Sequence, residues 1–278
     1  MLGKLVKQEI KESSKLLLLS HGFLIIFSII SGILMQFAVS TDFLQGDAIV
    51  PKVLFALFLI VNGILIIASS FGVMIYIAIR FYKNLFTDQG YLMFTLPTTS
   101  SQLLHSKIIT GVLWTLFNSI IIWICMGIIL LPLLIVAPIE ELWRELQELL
   151  QLVPTSTIIT LNLLSIVSVL FAPLYEYACI CLGQLFNKSR IIFAVIFYGV
   201  GMMILQFVLG VISLVSTFNS AMTNSTLYTN TYDDAAFLTL QFESMTTVYL
   251  ATIVAMILVT ILSYFLCQYI MKKKLNLL

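Results

Sequence analysis

The chain has 278 residues, 60% of them apolar and 10% charged, with a mean hydropathy of +1.09 and a formal net charge of +1. A soluble domain carries about 45–50% apolar and about 25% charged residues, so these proportions exclude an ordinary water-soluble protein. The basic residues form no stripe interleaved with aromatics, which excludes a polyanion-binding surface and a nucleic-acid partner.

At the start of the chain, residues 2–15 predict a short amphipathic helix. At 100° per residue, Lys4, Lys7, Lys11 and Lys15 fall within about 80° of arc, and Leu2, Leu5, Val6 and Ile10 point the other way. Such a helix lies along the membrane surface with its lysines toward anionic head groups. It is either an orientation signal or an interfacial elbow helix.

Apolar runs follow at about 16–39, 53–79, 108–137, 155–177, 191–214 and 246–271. Each is long enough to cross a hydrocarbon layer of roughly 30 Å, and backbone groups in lipid demand a helix. The first run is too long for a signal-peptide core and has no small-residue cleavage site after it, so it is expected to remain as a span. The expectation is an all-α polytopic membrane protein, a single domain over residues 1–278 with six transmembrane helices.

Orientation follows from the basic residues. With both termini cytoplasmic, the inner segments hold Lys4, Lys7, Lys11, Lys15, Arg80, Lys83, Lys107, Lys188, Arg190, Lys272, Lys273 and Lys274, which is 12 of the 14. Only Lys52 and Arg144 lie outside, and this asymmetry predicts an N-in, C-in topology.

The segment between the second and third spans, Arg80 to Lys107, is aromatic-rich, holds one acid, Asp88, and is broken by Pro97. Ser100 or Ser101 is expected to cap the helix that follows. Phe86, Tyr91, Met93 and Phe94 are expected to be exposed on the cytoplasmic side, either as a partner contact or dipping into the membrane interface. On the outer side, residues 138–154 predict a second amphipathic helix between Pro138 and Pro154, with Leu142, Leu146, Leu149 and Leu150 on one face. The last outer segment, about 215–245, is polar and ends in Asp233, Asp234 and Glu243. These outer segments form either a cap over a pore mouth or inert packing.

The catalytic motifs are missing. There is no His-Glu-x-x-His, no Gly-x-x-x-x-Gly-Lys-Ser/Thr and no Gly-x-Ser-x-Gly, and the two histidines, His21 and His105, are far apart in sequence. Cys125, Cys179, Cys181 and Cys267 lie in or beside apolar runs, where cysteine behaves as a small hydrophobe. No metal site and no enzyme activity are expected. Glu176 is the one candidate within the spans for a proton or ion relay, and a salt bridge at the inner membrane edge, near Lys188 and Arg190, is expected for it rather than a transport site. Asn62, Ser69, Ser70, Asn118, Ser119, Asn162 and Gln206 either line a path or hold helices together through hydrogen bonds.

The motif Phe81-Tyr82 … Leu85-Phe86-x-Asp88-x-Gly90-Tyr91-Leu92-x-Phe94-Thr95-Leu96-Pro97 … Leu103-Leu104-x-x-Lys107 resembles the loop of permease subunits of ABC-2 type exporters, the compact Gram-positive kind. Gly183-Gln-Leu-Phe-Asn-Lys188 is a weaker echo of the same group. The resemblance implies a bacterial plasma-membrane permease, paired with a second copy or a paralogue as a homo- or heterodimer, and driven by separate ABC ATPase subunits that bind the ATP. It implies no cofactor on this chain and export of an amphipathic peptide, drug or lipid. It also implies a coupling helix within residues 84–96, with Phe86, Asp88, Gly90, Tyr91, Phe94, Thr95 and Leu96 as the ATPase-coupling residues. The rival readings are a non-transporting membrane sensor, assembly or immunity factor, and an intramembrane enzyme.

Overall fold

The computed structural model describes residues 2–40, 49–94, 98–136, 143–144, 147, 151–186, 189–227 and 234–273, and every regular element among them is an α-helix. In chain order these are α1 (Leu2–Ser40), α2 (Ile49–Phe86), α3 (Asp88–Phe94), α4 (Ser100–Val136), α5 (Thr155–Gly183), α6 (Arg190–Leu227) and α7 (Asp234–Lys273). Six of them, all but α3, are long and apolar enough to cross a membrane. The expected spans therefore each have a helix.

The helices are longer than the apolar runs. α2 has 38 residues, about 57 Å at 1.5 Å per residue, against roughly 30 Å of hydrocarbon. Charges end an apolar run but do not end a helix, because lysine and arginine are good helix formers. The same reason removes the expected boundary near residue 15. No glycine or proline occurs between Lys4 and His21, and α1 runs unbroken from Leu2 to Ser40, so residues 2–15 are not a separate element. At the other end, helix occupies much of the segment expected as an outer excursion at 215–245: α6 continues to Leu227 and α7 begins at Asp234. Most of the amphipathic segment expected at 138–154 lies outside the described residues.

Large apolar side chains cover the surface. Trp123 is 78% exposed and Phe207 74%. In water such a surface would drive aggregation; in lipid it meets its own kind.

Contacts cluster into two units, Met1–Arg80 with His105–Glu145, and Phe81–Leu104 with Leu146–Leu278. In the first unit a small core of Leu24, Ile121 and Cys125 is packed against Ile25, Leu65, Ile66 and Phe117. In the second, α5 packs on both α6 and α7. Thr157 and Thr246 share a hydroxyl hydrogen bond of 2.7 Å between α5 and α7. Gly183 ends α5 where a Cβ would stand 2.5 Å from the Arg190 carbonyl oxygen, so only glycine lets α6 start this close.

The second unit also holds the short connection from α2 to α4. Phe81 stacks on Tyr177 with centroids 3.9 Å apart, and Phe86 meets Phe81 edge to face at 5.8 Å. Leu85, Leu103 and Leu104 are fully enclosed. Thr99, rather than Ser100 or Ser101, caps α4: its Oγ1 accepts from the Gln102 amide at 3.3 Å. Ser101 instead accepts a hydrogen bond from Gln268 Nε2 at 3.3 Å.

Gly90 sits in this turn. Its amide donates to the Thr87 carbonyl at 2.7 Å, and a Cβ there would lie 2.5 Å from the Leu85 carbonyl oxygen. Backbone cannot retreat as a side chain can. Gly90→Ala is expected to cost about 1–3 kcal/mol by overpacking, whereas Gly63→Ala, with nothing within 4 Å of the new methyl, should leave stability unchanged or slightly raised. Thermal unfolding of the two variants in detergent checks the contrast.

Candidate functional site

α1 turns its polar residues inward. Glu9, Ser13, Leu17, His21, Leu24, Ser28, Ser31, Met35 and Ala38 are buried, at the spacing of three or four residues that places them on one face of a helix. Several of these side chains are ones that an apolar environment penalises unless they find partners. Within the first unit most of them do.

The lowest rung is ionic. Glu9 accepts Lys107 Nζ on Oε1 and Arg80 Nε on Oε2, the latter at 3.1 Å. Arg80 also donates through Nη2 to Glu12. Two carboxylates thus face two cations, and the cluster is neutral overall. Lys107 is 3% exposed and Glu9 5%, so neither charge has water to fall back on. Arg80 lies near the end of α2 and Lys107 near the start of α4, either side of α3, and one carboxylate of α1 holds both.

One turn along, Ser13 Oγ donates to the Glu9 carbonyl at 2.6 Å and accepts from Trp114 Nε1 at 2.8 Å. Next, His21 Nδ1 donates to the Leu17 carbonyl at 2.5 Å. The side-chain amide of Asn118 bridges His21 Nε2 and Ser69 Oγ, each at 3.1 Å. Phe117 sets its ring edge to face against His21 at 5.3 Å. Further along, Asn62 Nδ2 donates to Ser31 Oγ at 2.5 Å. Two enclosed oxygens in this region, Ser28 Oγ and Asn62 Oδ1, make no hydrogen bond.

The structure brings Asn62, Ser69 and Asn118 into this spine as links between helices. It does not bring Asn162 or Gln206 there. Both are exposed in the second unit, and Asn162 Nδ2 donates to the Ile158 carbonyl of its own helix at 2.8 Å.

Of the residues expected to couple to an ATPase, Asp88 is exposed and Gly90 is buried in the turn. Phe86, expected to be exposed, is buried, because it closes the aromatic group with Phe81 and Tyr82. Met93 is half-buried. The backbones of Tyr91 and Phe94 belong to α3; their side chains, and Thr95 and Leu96 entirely, lie outside the described residues.

The expected salt bridge of Glu176 is not formed among the described residues. Glu176 is buried, its Oε2 has no partner, and Arg190 is exposed; Lys188 lies outside the described residues. The four cysteines are free and buried. No group of three or more His, Cys, Asp or Glu among the described residues is placed to hold a metal.

Glu9, Ser13, His21, Ser31 and Trp114 are the residues that sequence reasoning missed. Their signal was available: polar side chains recurring every three or four residues along α1, within and just ahead of its apolar run, mark a buried face rather than a solvated one.

Removing one partner of a buried ion pair costs about 3–5 kcal/mol, because a charge is left uncompensated. Glu9→Gln is expected to destabilise on that scale, and adding Lys107→Met should recover part of the loss. Asn118→Leu removes two membrane-embedded hydrogen bonds averaging about 0.6 kcal/mol each, so its effect should be markedly smaller. Thermal unfolding of the single and double variants measures both. No protein-family model, curated protein or solved structure matches the chain.

Proposed function

We propose that this chain is the membrane-spanning permease subunit of an ATP-driven exporter of the ABC-2 type, acting as a single permease domain with both termini in the cytoplasm of a bacterium. A separate ABC ATPase hydrolyses the ATP, and a second permease copy or a paralogue completes the pore. The substrate is an amphipathic peptide, drug or lipid. Residues 2–15 of α1 serve as its interfacial section, their lysines toward anionic head groups.

The observation that carries the reading is the α2–α3–α4 connection. Two long apolar helices are joined by a short helix, Asp88–Phe94, rather than by a loop of a few polar residues. This is the segment whose residues resemble the exporter loop, and its turn depends on Gly90 and on the buried Phe86. Asp88 and Gln89 stand exposed on it, as a surface that receives a partner requires. Closure of an ATP-bound ATPase pair against this connection shifts the permease between two arrangements.

Arg80 and Lys107, pinned to Glu9, keep the bases of the connection together.

Affinity purification in mild detergent is expected to recover an ATPase with the chain, and tags at Met1 and Leu278 should both be cytoplasmic. Tyr91→Asp with Phe94→Asp should uncouple ATP hydrolysis from transport in the reconstituted complex while membrane insertion is retained. Transport that persists unchanged in that double variant rules out the coupling assignment; transport by the purified chain alone rules out the exporter reading.

A further inference from the structure

In the second unit, a groove of about 540 Å³ opens between α6 and α7. Its floor is apolar, from Val211, Ile212 and Val215. Its walls are polar, and their hydrogens are already committed. Ser216 Oγ donates to the Ser244 carbonyl at 3.2 Å, and Ser220 Oγ to the Ser216 carbonyl at 3.0 Å. Ser244 Oγ donates to the Gln241 carbonyl at 2.8 Å, and Thr247 Oγ1 to the Glu243 carbonyl at 3.3 Å.

A hydroxyl has one hydrogen to give and two lone pairs to offer. With the hydrogen spent on the backbone, each of these oxygens can act toward a ligand only as an acceptor. Glu243, exposed on the groove, adds an ionised carboxylate, which is also acceptor-only. Among the described lining residues only Asn219 brings side-chain N–H groups.

The groove also lacks a counter-charge from its own helices. No Lys, Arg or His occurs between Arg190 and Lys272. Glu243 makes no ion pair among the described residues.

Position narrows the ligand further. Counting from Ile191, where the apolar run of α6 begins, Val211 lies about 30 Å along the helix and Ser220 about 44 Å. The floor therefore starts at the edge of a hydrocarbon layer of roughly 30 Å and runs to Val215 at about 36 Å, so the groove lies at the boundary with the head groups and its polar wall reaches into their region.

We propose that this groove binds a primary-amine amphiphile, its ammonium on Glu243 and the hydroxyl oxygens, its alkyl part over Val211, Ile212 and Val215. An ammonium brings three donors and no acceptor, the complement of this lining. Such a cation comes either from a free amphiphile or from the head group of an ethanolamine lipid. The site belongs to the chain alone, so it stands or falls independently of the exporter reading.

The test uses the purified full chain in nanodiscs of phosphatidylcholine, whose head group carries positive charge but no N–H donor. A diazirine-bearing dodecylamine is photolysed and the labelled peptides are mapped by mass spectrometry. Label is expected on residues 211–220 and 243–247, competed by dodecylamine and not by dodecanol, and weakened about fivefold in Glu243→Gln, the scale of an exposed ion pair. Glu243→Asp should keep it. Equal labelling of Glu243→Gln, equal competition by dodecanol, or label confined to other segments overturns the proposal. Adding phosphatidylethanolamine distinguishes the sources while supporting the site either way: displaced probe assigns the lipid head group, and retained probe a free amine.

Discussion

Hydrocarbon offers no hydrogen bonds, and that constraint governs how α1 is used. A polar side chain on a lipid-facing surface would lose its hydration without replacement, at several kcal/mol for a charge. The chain therefore packs such side chains against one another. Glu9, ahead of the apolar run, meets the same demand through burial in protein: a carboxylate 5% exposed stands because Lys107 answers one oxygen and Arg80 the other. Ser13, His21 and Ser31 repeat the solution with neutral partners on the other helices of the unit. The outcome inverts a soluble protein, with polar links inside and Trp123 or Phe207 outside.

Apolar packing does less of the specifying here than it would in water, since lipid tails are as apolar as leucine. The first unit has a modest apolar core around Leu24 and Ile121. What singles out one arrangement of its helices is which polar group can reach which. The second unit depends more on shape. Phe81 against Tyr177, and the close approaches at Gly90 and Gly183, leave little room for an alternative path of the backbone.

The coarse architecture was legible in the sequence because length and hydropathy alone decide it. Six apolar runs of more than about 20 residues can be little else than six helices once lipid is the solvent. Helix ends were less legible. The apolar run ends at about residue 79, yet the helix continues to Phe86 because arginine and lysine are compatible with helix outside the hydrocarbon. The lysines of residues 2–15 share a face, and that pattern assigns no partner to Glu9 and Ser13 between them. A periodic pattern says which residues share a side; it does not say whether that side meets water, lipid or protein. Phe86 failed for a related reason. An aromatic in a polar-flanked connection looks exposed until its neighbours Phe81 and Tyr82 are seen to fold over it. Asn118 is one of several polar residues that the sequence leaves as either path-lining or helix-linking, and its two partners, 49 and 97 residues away, cannot be named from one dimension.

The rungs of α1 have a mechanical corollary. They recur along a helix that turns 100° per residue, and every one must meet its own partner. Sliding α1 by a single position would rotate Glu9, Ser13, His21 and Ser31 away together, breaking all the links at once with nothing to replace them. Such a rod resists creeping or twisting against its neighbours by small increments. Like a key whose teeth are all seated, it is carried along as one body or not displaced at all.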